Sequence, residues 1–433
     1  MSAPTVTLDS ATPTRGVGGV GGVDLPSAQR AAPPSRNRLD SIDLLRGIVM
    51  VIMVLDHTRD FSFAGTLHFT PTDLAHTTPA IFFTRWITHF CAPVFVFLAG
   101  TGAYLQRARG KSRSELARYL VTRGLWLVVL EFTVVKLGVT FATDTHFLGA
   151  AQVIWVIGIS MVLLGALIWL PLPAIAAFGL GMIALHNLLD RFPVYQWNGP
   201  GSPLPTLGQA AWALAHAQFQ ALPLGHPFPV VLAAYAVIPW VGVMATGYAF
   251  GEVYMLPADR RRRLLVTWGI AVSLGFVAMR LLNGYGDPSP WSRQPSATYT
   301  LLSFLNTTKY PPSLEYLLMT LGPALLLLAW FETLPKSRIT APLITFGRVP
   351  LFFYLLQWPI AHGLTLILAI ASHRPTAYLI WHFPLGQAPP DAGFRLRTTY
   401  LIWLAAIALL YPLSRWYAGV KQRHRDWRLL SYL

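Results

Sequence analysis

Apolar residues run through this chain in long blocks separated by short polar joints. Ten segments approach membrane length: 42–61, 80–105, 118–139, 151–170, 173–189, 229–251, 263–282, 313–331, 347–371 and 398–418. A helix needs about 20 predominantly apolar residues to cross the hydrocarbon core. The pattern therefore predicts an all-α, polytopic membrane bundle of about ten transmembrane helices. Pro171 and Pro173 make the joint between the fourth and fifth segments tight, whereas 190–228, 283–312 and 372–397 are long connections. No internal repeat is visible, so the pattern lends no support to inverted-repeat symmetry.

Composition agrees with the pattern and adds an orientation. The 433 residues are 54% hydrophobic and 12% charged, and the mean hydropathy is +0.48. A net charge of +15 would suit nucleic acid, but the basic residues sit in short joints between apolar blocks, where topology signals are placed. Nucleic acid is therefore not an expected partner. With the N-terminus inside, 23 of the 33 Lys and Arg residues fall on cytoplasmic segments, which predicts both termini inside. Residues 1–37, rich in Ala, Pro, Gly, Ser and Thr, read as a disordered cytoplasmic tail. Residues 38–420 form the membrane domain, and 421–433 a basic tail. The single cysteine, Cys91, excludes an internal disulfide and a multi-cysteine zinc site.

Candidate chemistry begins in the first block, RGIVMVIMVLDHTRD. Nine apolar or small residues, Gly47 to Leu55, separate Arg46 from Asp56, His57, Arg59 and Asp60. Ionisable residues inside a span are expensive and normally face a bundle interior or a wet cavity. Arg46 and His57 are eleven residues apart, about 1100° of rotation, so they share one stripe to within roughly 20° and stand about 16 Å apart along the axis. Asp60, three residues beyond His57, is placed to orient the imidazole, and Asp56 and Arg59 share the spacing of a neutralising pair. A carboxylate-oriented histidine is a general-base arrangement; the bland alternative is a structural polar cluster at the helix end.

The second block, TRWITHFCAPVFVFLAG, puts Arg85 and His89 four apart on one helix face, with Pro93 predicting a kink near Cys91 and Ala92. Antiparallel packing of the first two helices would bring His89 close to His57, as a second catalytic candidate or as a packing histidine. In the loop between them, His68 and Asp73 join Arg85 as candidate acceptor-binding groups. His68, Asp73 and His76 match no strong metal signature, and no metal is expected. The joint QRARGKSRSELARYLVTR holds Arg107, Arg109, Lys111, Arg113, Arg118 and Arg123. It reads either as an anionic-lipid patch or as a site for a phosphorylated cofactor, since arginine pairs bidentately with phosphate. Glu131 and Lys136 are too far round their helix to pair. Tyr195, Trp197, Trp291, Tyr299, Tyr310 and Trp381 read as an interfacial belt.

Taken together, RLDSIDLLRGIVMVIMVLDHTRDF and FFTRWITHFCAPVFVFLAGTGAYL resemble the bacterial branch of the heparan-α-glucosaminide N-acetyltransferase catalytic-domain family. The stretch GRVPLFFYLLQWPIAH is similar to that family's late block. Arginine, ten residues, then histidine also looks like the signature of transmembrane O-acyltransferases that modify cell-surface sugars. The resemblance implies a bundle that takes acetyl-CoA from the cytoplasm and acetylates a sugar amine or hydroxyl on the far side, in the inner (plasma) membrane. Arg46, Arg107, Arg109, Arg118 and Arg123 would hold the acetyl-CoA phosphates, and His57, with Asp60, Asp56 and His89, would carry the chemistry. In the eukaryotic enzyme the catalytic histidine aligns nearer His68, and Gln357 stands where bacterial relatives often have histidine. The base is thus His57, His68 or His89, acting directly or through an acyl-enzyme. Expected partners are membrane lipids, an acyl-CoA and an extracytoplasmic glycan or other small acceptor. The alternatives are a transporter or flippase relaying protons through Asp56, His57 and Glu131, and a structural membrane protein.

Overall fold

The computed structural model describes residues 39–216, 219–226, 229–380, 388–424 and 427. The tail expected at 1–37, Trp381 and most of the tail at 421–433 lie outside the described residues. Every predicted apolar segment contains a helix. The main helices are α1 (Asp40–Ser62), α2 (Pro79–Ala108), α3 (Arg113–Leu130), α4 (Lys136–Thr140), α5 (Val153–Leu167), α6 (Leu172–Leu185), α7 (Val237–Phe250), α8 (Ala258–Leu282), α9 (Ala297–Leu305), α10 (Leu314–Phe331), α11 (Thr340–Arg348), α12 (Pro350–Ala371) and α13 (Leu396–Arg423), with short helices at Ala64–His68 and Leu207–Ala215 in the connections. Among the described residues, six helical stretches are long and apolar enough to cross a membrane: α2, α6 extended to Leu189, α8, α10, α12 and α13. In α8 and α13, Leu274, Leu281, Leu401 and Leu404 point outward, as lipid-facing side chains do.

The ionisable helix α1 sits at the centre, packed by α2, α10, α11, α12 and α13. Close approach to α11 needs glycine on both sides. A Cβ on Gly47 would overlap the carbonyl oxygen of Leu343, and one on Gly347 would overlap that of Asp43. The two backbones meet there directly, which is the small-residue packing that helices use where lipid supplies no hydrophobic drive.

Local departures from the predicted helices have identifiable causes. The second block does break, but at a 3-10 turn over Ile87–Phe90 rather than at Cys91 and Ala92. Pro93 lacks the N–H that would meet the carbonyl of His89. The Tyr316 hydroxyl of α10 donates to that carbonyl instead, at 2.7 Å. Between α3 and α4 a π turn covers Glu131–Val135. The Glu131 carboxylate accepts from the backbone N–H groups of Ile154 and Trp155, at 3.1 and 2.9 Å, and so caps α5 from a neighbouring helix. Glu131 and Lys136 are indeed not paired with each other; Lys136 donates to the Asp144 carbonyl. The helix expected from 151 starts at Val153, but the one expected from 229 starts only at Val237. Phe147–Ala151 and Val230–Ala233 are strands β1 and β3, which with β2 (Gln220–Pro223) make a small sheet of order β1-β3-β2. Strands β1 and β3 pair in parallel, and β2 and β3 antiparallel.

Candidate active site

A cavity of about 820 Å³ opens at the Arg46 end of the bundle, within the usual size range of small-molecule sites. Its mouth is cationic. Among the described residues, helix α1 contributes Arg46, the end of α2 contributes Arg109, α3 Arg123, the α11–α12 junction Arg348 and α13 Lys421, against a single lining carboxylate, Asp43. Its deeper wall is apolar, with Met50 of α1, Leu127 of α3, Ile154 of α5 and Tyr354 of α12. Arg46 is held in place by a 2.9 Å bond to the Leu98 carbonyl and lies 3.7 Å from Asp43. Arg348 reaches Asp40 at 3.2 Å, and Lys336 shares that carboxylate.

Of the five arginines expected to bind phosphate, Arg46, Arg109 and Arg123 line this cavity. Arg107 and Arg118 do not: Arg107 donates to the Lys111 carbonyl at 2.8 Å, and Arg118 faces outward. On a helix, neighbours in one basic run project to different sides, and run membership alone does not select the inward ones. Arg348 and Lys421 were not among the expected ligands. They come from segments hundreds of residues away that only the fold brings to the mouth.

His57 lies on the Arg46 stripe, as expected, but seven residues beyond Met50, about 10 Å further along the axis. Its ring packs against the Trp358 indole, centroids 3.7 Å apart, and Tyr354 meets Trp358 edge-on at 6.1 Å. Nδ1 of His57 is buried without a hydrogen-bond partner. The expectation that Asp60 orients the imidazole is corrected: Asp60 accepts from Arg59 Nη2 at 2.6 Å. Arg59 is almost wholly buried and draws on both carboxylates, reaching Asp56 at 2.7 Å as well. A guanidinium competes better for a carboxylate than a neutral imidazole does.

Asp56 is the hub of a second polar cluster. Besides Arg59, it accepts from Arg85 Nη1 at 2.8 Å and from the Thr88 hydroxyl at 2.9 Å, and Lys309 stands 4.0 Å away. The 3-10 turn changes the spacing after Trp86, so Arg85 turns to α1 while His89 packs on the Tyr316 ring, centroids 5.4 Å apart. Nδ1 of His89 is buried and unpartnered. Lys309, from the connection before α10, escaped the sequence reading because an isolated lysine in a long loop carries no local pattern.

The loop candidates stay apart from this cluster. His68 ends a short helix, Ala64–His68, and is exposed. Asp73 pairs with His76 at 2.6 Å and accepts from the Ala75 amide, bonds that hold its carboxyl below the usual range. Their loop is tied down by the Tyr299 hydroxyl to the Thr77 carbonyl and by the Asn306 amide to the Thr72 carbonyl. Farther along α12, His362 is sandwiched between Phe61 and Phe141, at 4.4 and 3.9 Å.

The family described as "Heparan-alpha-glucosaminide N-acetyltransferase, catalytic" matches residues 38–281. That region holds α1 with Asp56 and His57, and the basic joint, and it is more than half of the chain. The GRVPLFFYLLQWPIAH stretch, Gly347–His362, lies beyond it, yet packs directly against α1. No curated protein matches the sequence. With its membrane-length apolar helices, the chain is a multi-pass membrane protein of acetyltransferase type, and it belongs to the heparan-alpha-glucosaminide N-acetyltransferase catalytic-domain family.

Proposed function

We propose that the protein takes an acetyl group from acetyl-CoA at the cytoplasmic face of the inner membrane and passes it to a sugar amine or hydroxyl on the other side. The observation that carries this reading is the cavity. Among the described residues, five cationic side chains ring its mouth against one carboxylate, a donor set suited to a polyanionic phosphate ligand. Beyond them an apolar shaft, walled by Met50, Leu127 and Tyr354, points along the stripe that ends at His57. Such a shaft fits the uncharged arm that carries a thioester. His57 then serves as the base that takes the proton from the acceptor nitrogen or oxygen as that atom attacks the acyl carbon.

Purified protein should bind acetyl-CoA, with an affinity that falls as salt rises, and should transfer labelled acetyl to glucosamine. Removing one charge-assisted phosphate contact costs about 1.5–3 kcal/mol, or roughly 10–150-fold in affinity. Arg123→Ala and Arg348→Ala are each expected to weaken acetyl-CoA binding by that order. Arg107→Ala and Arg118→Ala, outside the cavity, should stay within about twofold of wild type. Equal losses from both pairs would make the effect one of overall charge and remove the cavity from the argument.

The sidedness rests on the distribution of Lys and Arg. Reporter fusions after residues 215 and 300 are expected to report the outer face, and one after residue 262 the cytoplasm. A cytoplasmic signal at 215 or 300 would overturn the map and, with it, cytoplasmic supply of the donor.

A further inference from the structure

The donor cavity and the base do not meet in this structure. On α1 the cavity wall stops at Met50, and on α12 it stops at Tyr354. The next turn of α12 sets Trp358 between them and His57. Only 4% of Trp358 is exposed, and its indole lies on the imidazole at 3.7 Å with Phe61 edge-on at 6.1 Å. Nδ1 of His57 is buried with no hydrogen-bond partner among the described residues. A buried, unmet polar group is destabilising, so in this packing the imidazole is not at its best-satisfied position. Pro359 follows directly within α12. It offers no N–H to the Leu355 carbonyl, which loosens the turn that carries the indole. Behind that turn a Cβ on Gly138 would stand 3.0 Å from the Trp358 Cβ, so α4 blocks a sideways shift of the backbone and leaves rotation of the ring.

We propose, on the acyl-transfer reading above, that Trp358 is a positioning residue. Its indole holds His57 in place of the carboxylate that Asp60 does not supply, and it screens the base from the donor cavity until an acceptor displaces the ring. The chemical need is specific. In an open cavity the thioester has water as a rival acceptor. If the base is exposed to that water, the water oxygen bonds to the acyl carbon and the C–S bond breaks. The base hands the water proton to the departing thiolate, and acetic acid is lost. The same base acting on the acceptor atom gives product. Covering the base until the acceptor arrives selects the second outcome, as closing steps do where water must be kept out.

The test compares Trp358→Ala and Trp358→Phe in the full-length protein, using acetyl-labelled acetyl-CoA and glucosamine. The readouts are acetyl-CoA affinity, acetyl transfer, and acetate release with no acceptor present. Trp358→Ala is expected to bind acetyl-CoA within about threefold of wild type, to lose about 10–100-fold in transfer and to release acetate about tenfold faster. Trp358→Phe, which keeps a flat apolar face, should return both rates to within about threefold of wild type. Acetate release unchanged in Trp358→Ala, or reduced in step with transfer, overturns the proposal, because a merely structural residue lowers both together. If the alanine variant does not purify as a single species, Trp358→Leu keeps the apolar bulk without the flat face and is read in the same way. Acetate release needs no acceptor, so it is informative whichever acceptor the protein uses. A wild type that binds no acetyl-CoA defeats the acyl-transfer reading itself, and that result is seen before any variant is compared.

Discussion

Replacing His57 with alanine is expected to lower acetyl transfer by about 10²–10⁴-fold, the usual cost of removing a general base, with acetyl-CoA affinity unchanged. The two halves of this result follow from different parts of the geometry. His57 is absent from the cavity wall, which closes at Met50 and Tyr354, so the donor loses no contact. The imidazole contributes little to the fold through hydrogen bonds, since its Nδ1 has none. What is lost is its face on Trp358, worth about 0.5–1.5 kcal/mol as a ring pair. Monodispersity should therefore survive. His89→Ala differs in kind. Its ring packs on Tyr316 at the break in α2, so the expected result is a lower unfolding temperature with a milder loss of rate. His68 is exposed on the loop, and His68→Ala should do little. A near-normal rate in His57→Ala with a large loss in His68→Ala or His89→Ala would move the base to that residue. The Arg46–His57 stripe would then be only the wall of the donor channel.

What the sequence made legible, and what it did not, divides by the range of the interactions involved. Apolar length is a local property, and each of the ten segments it predicted contains a helix. The Arg46–His57 alignment was legible for the same reason, since one unbroken helix carries both. Side-chain partners were legible only where a single helix supplies them: Asp56 and Arg59 do pair. Asp60 was assigned to His57 on spacing that serves either partner, and a buried guanidinium outcompeted the imidazole. The break in α2 was anticipated from Pro93, but its position depends on a hydroxyl that α10 brings to the His89 carbonyl. The cap on α5 likewise comes from Glu131 of another helix. Arg348, Lys421 and Lys309 reach their sites from segments far along the chain, and no local pattern marks them. The strand β3 was hidden because a short apolar run beside a helical segment reads as its continuation, whereas β1 lies almost wholly in the joint before the 151–170 segment.

Asp56→Ala is expected to be the most damaging single change to the fold among the polar residues of α1. The side chain is 11% exposed, and its carboxylate is shared by Arg59 at 2.7 Å, Arg85 at 2.8 Å and the Thr88 hydroxyl at 2.9 Å, with Lys309 at 4.0 Å. Without it, three buried cations are left with Asp60, whose side chain is 45% exposed and, among the described residues, pairs with Arg59 alone. Removing one partner of a buried ion pair costs about 3–5 kcal/mol, against a typical total stability of about 5–15 kcal/mol. The expected observation is a large loss of monodisperse protein and a lower unfolding temperature for what remains, measured in detergent beside His57→Ala. The double change Asp56→Ala with Arg85→Leu removes one orphaned cation together with the carboxylate, and it should recover part of the loss, because the two residues interact directly. The comparison separates two roles for adjacent residues on one helix. If Asp56→Ala instead purified and melted as wild type while losing turnover as His57→Ala does, the carboxylate would belong to the chemistry. The cations around it would then be groups that meet the acceptor rather than the frame that fixes α1 against α2 and the Lys309 connection.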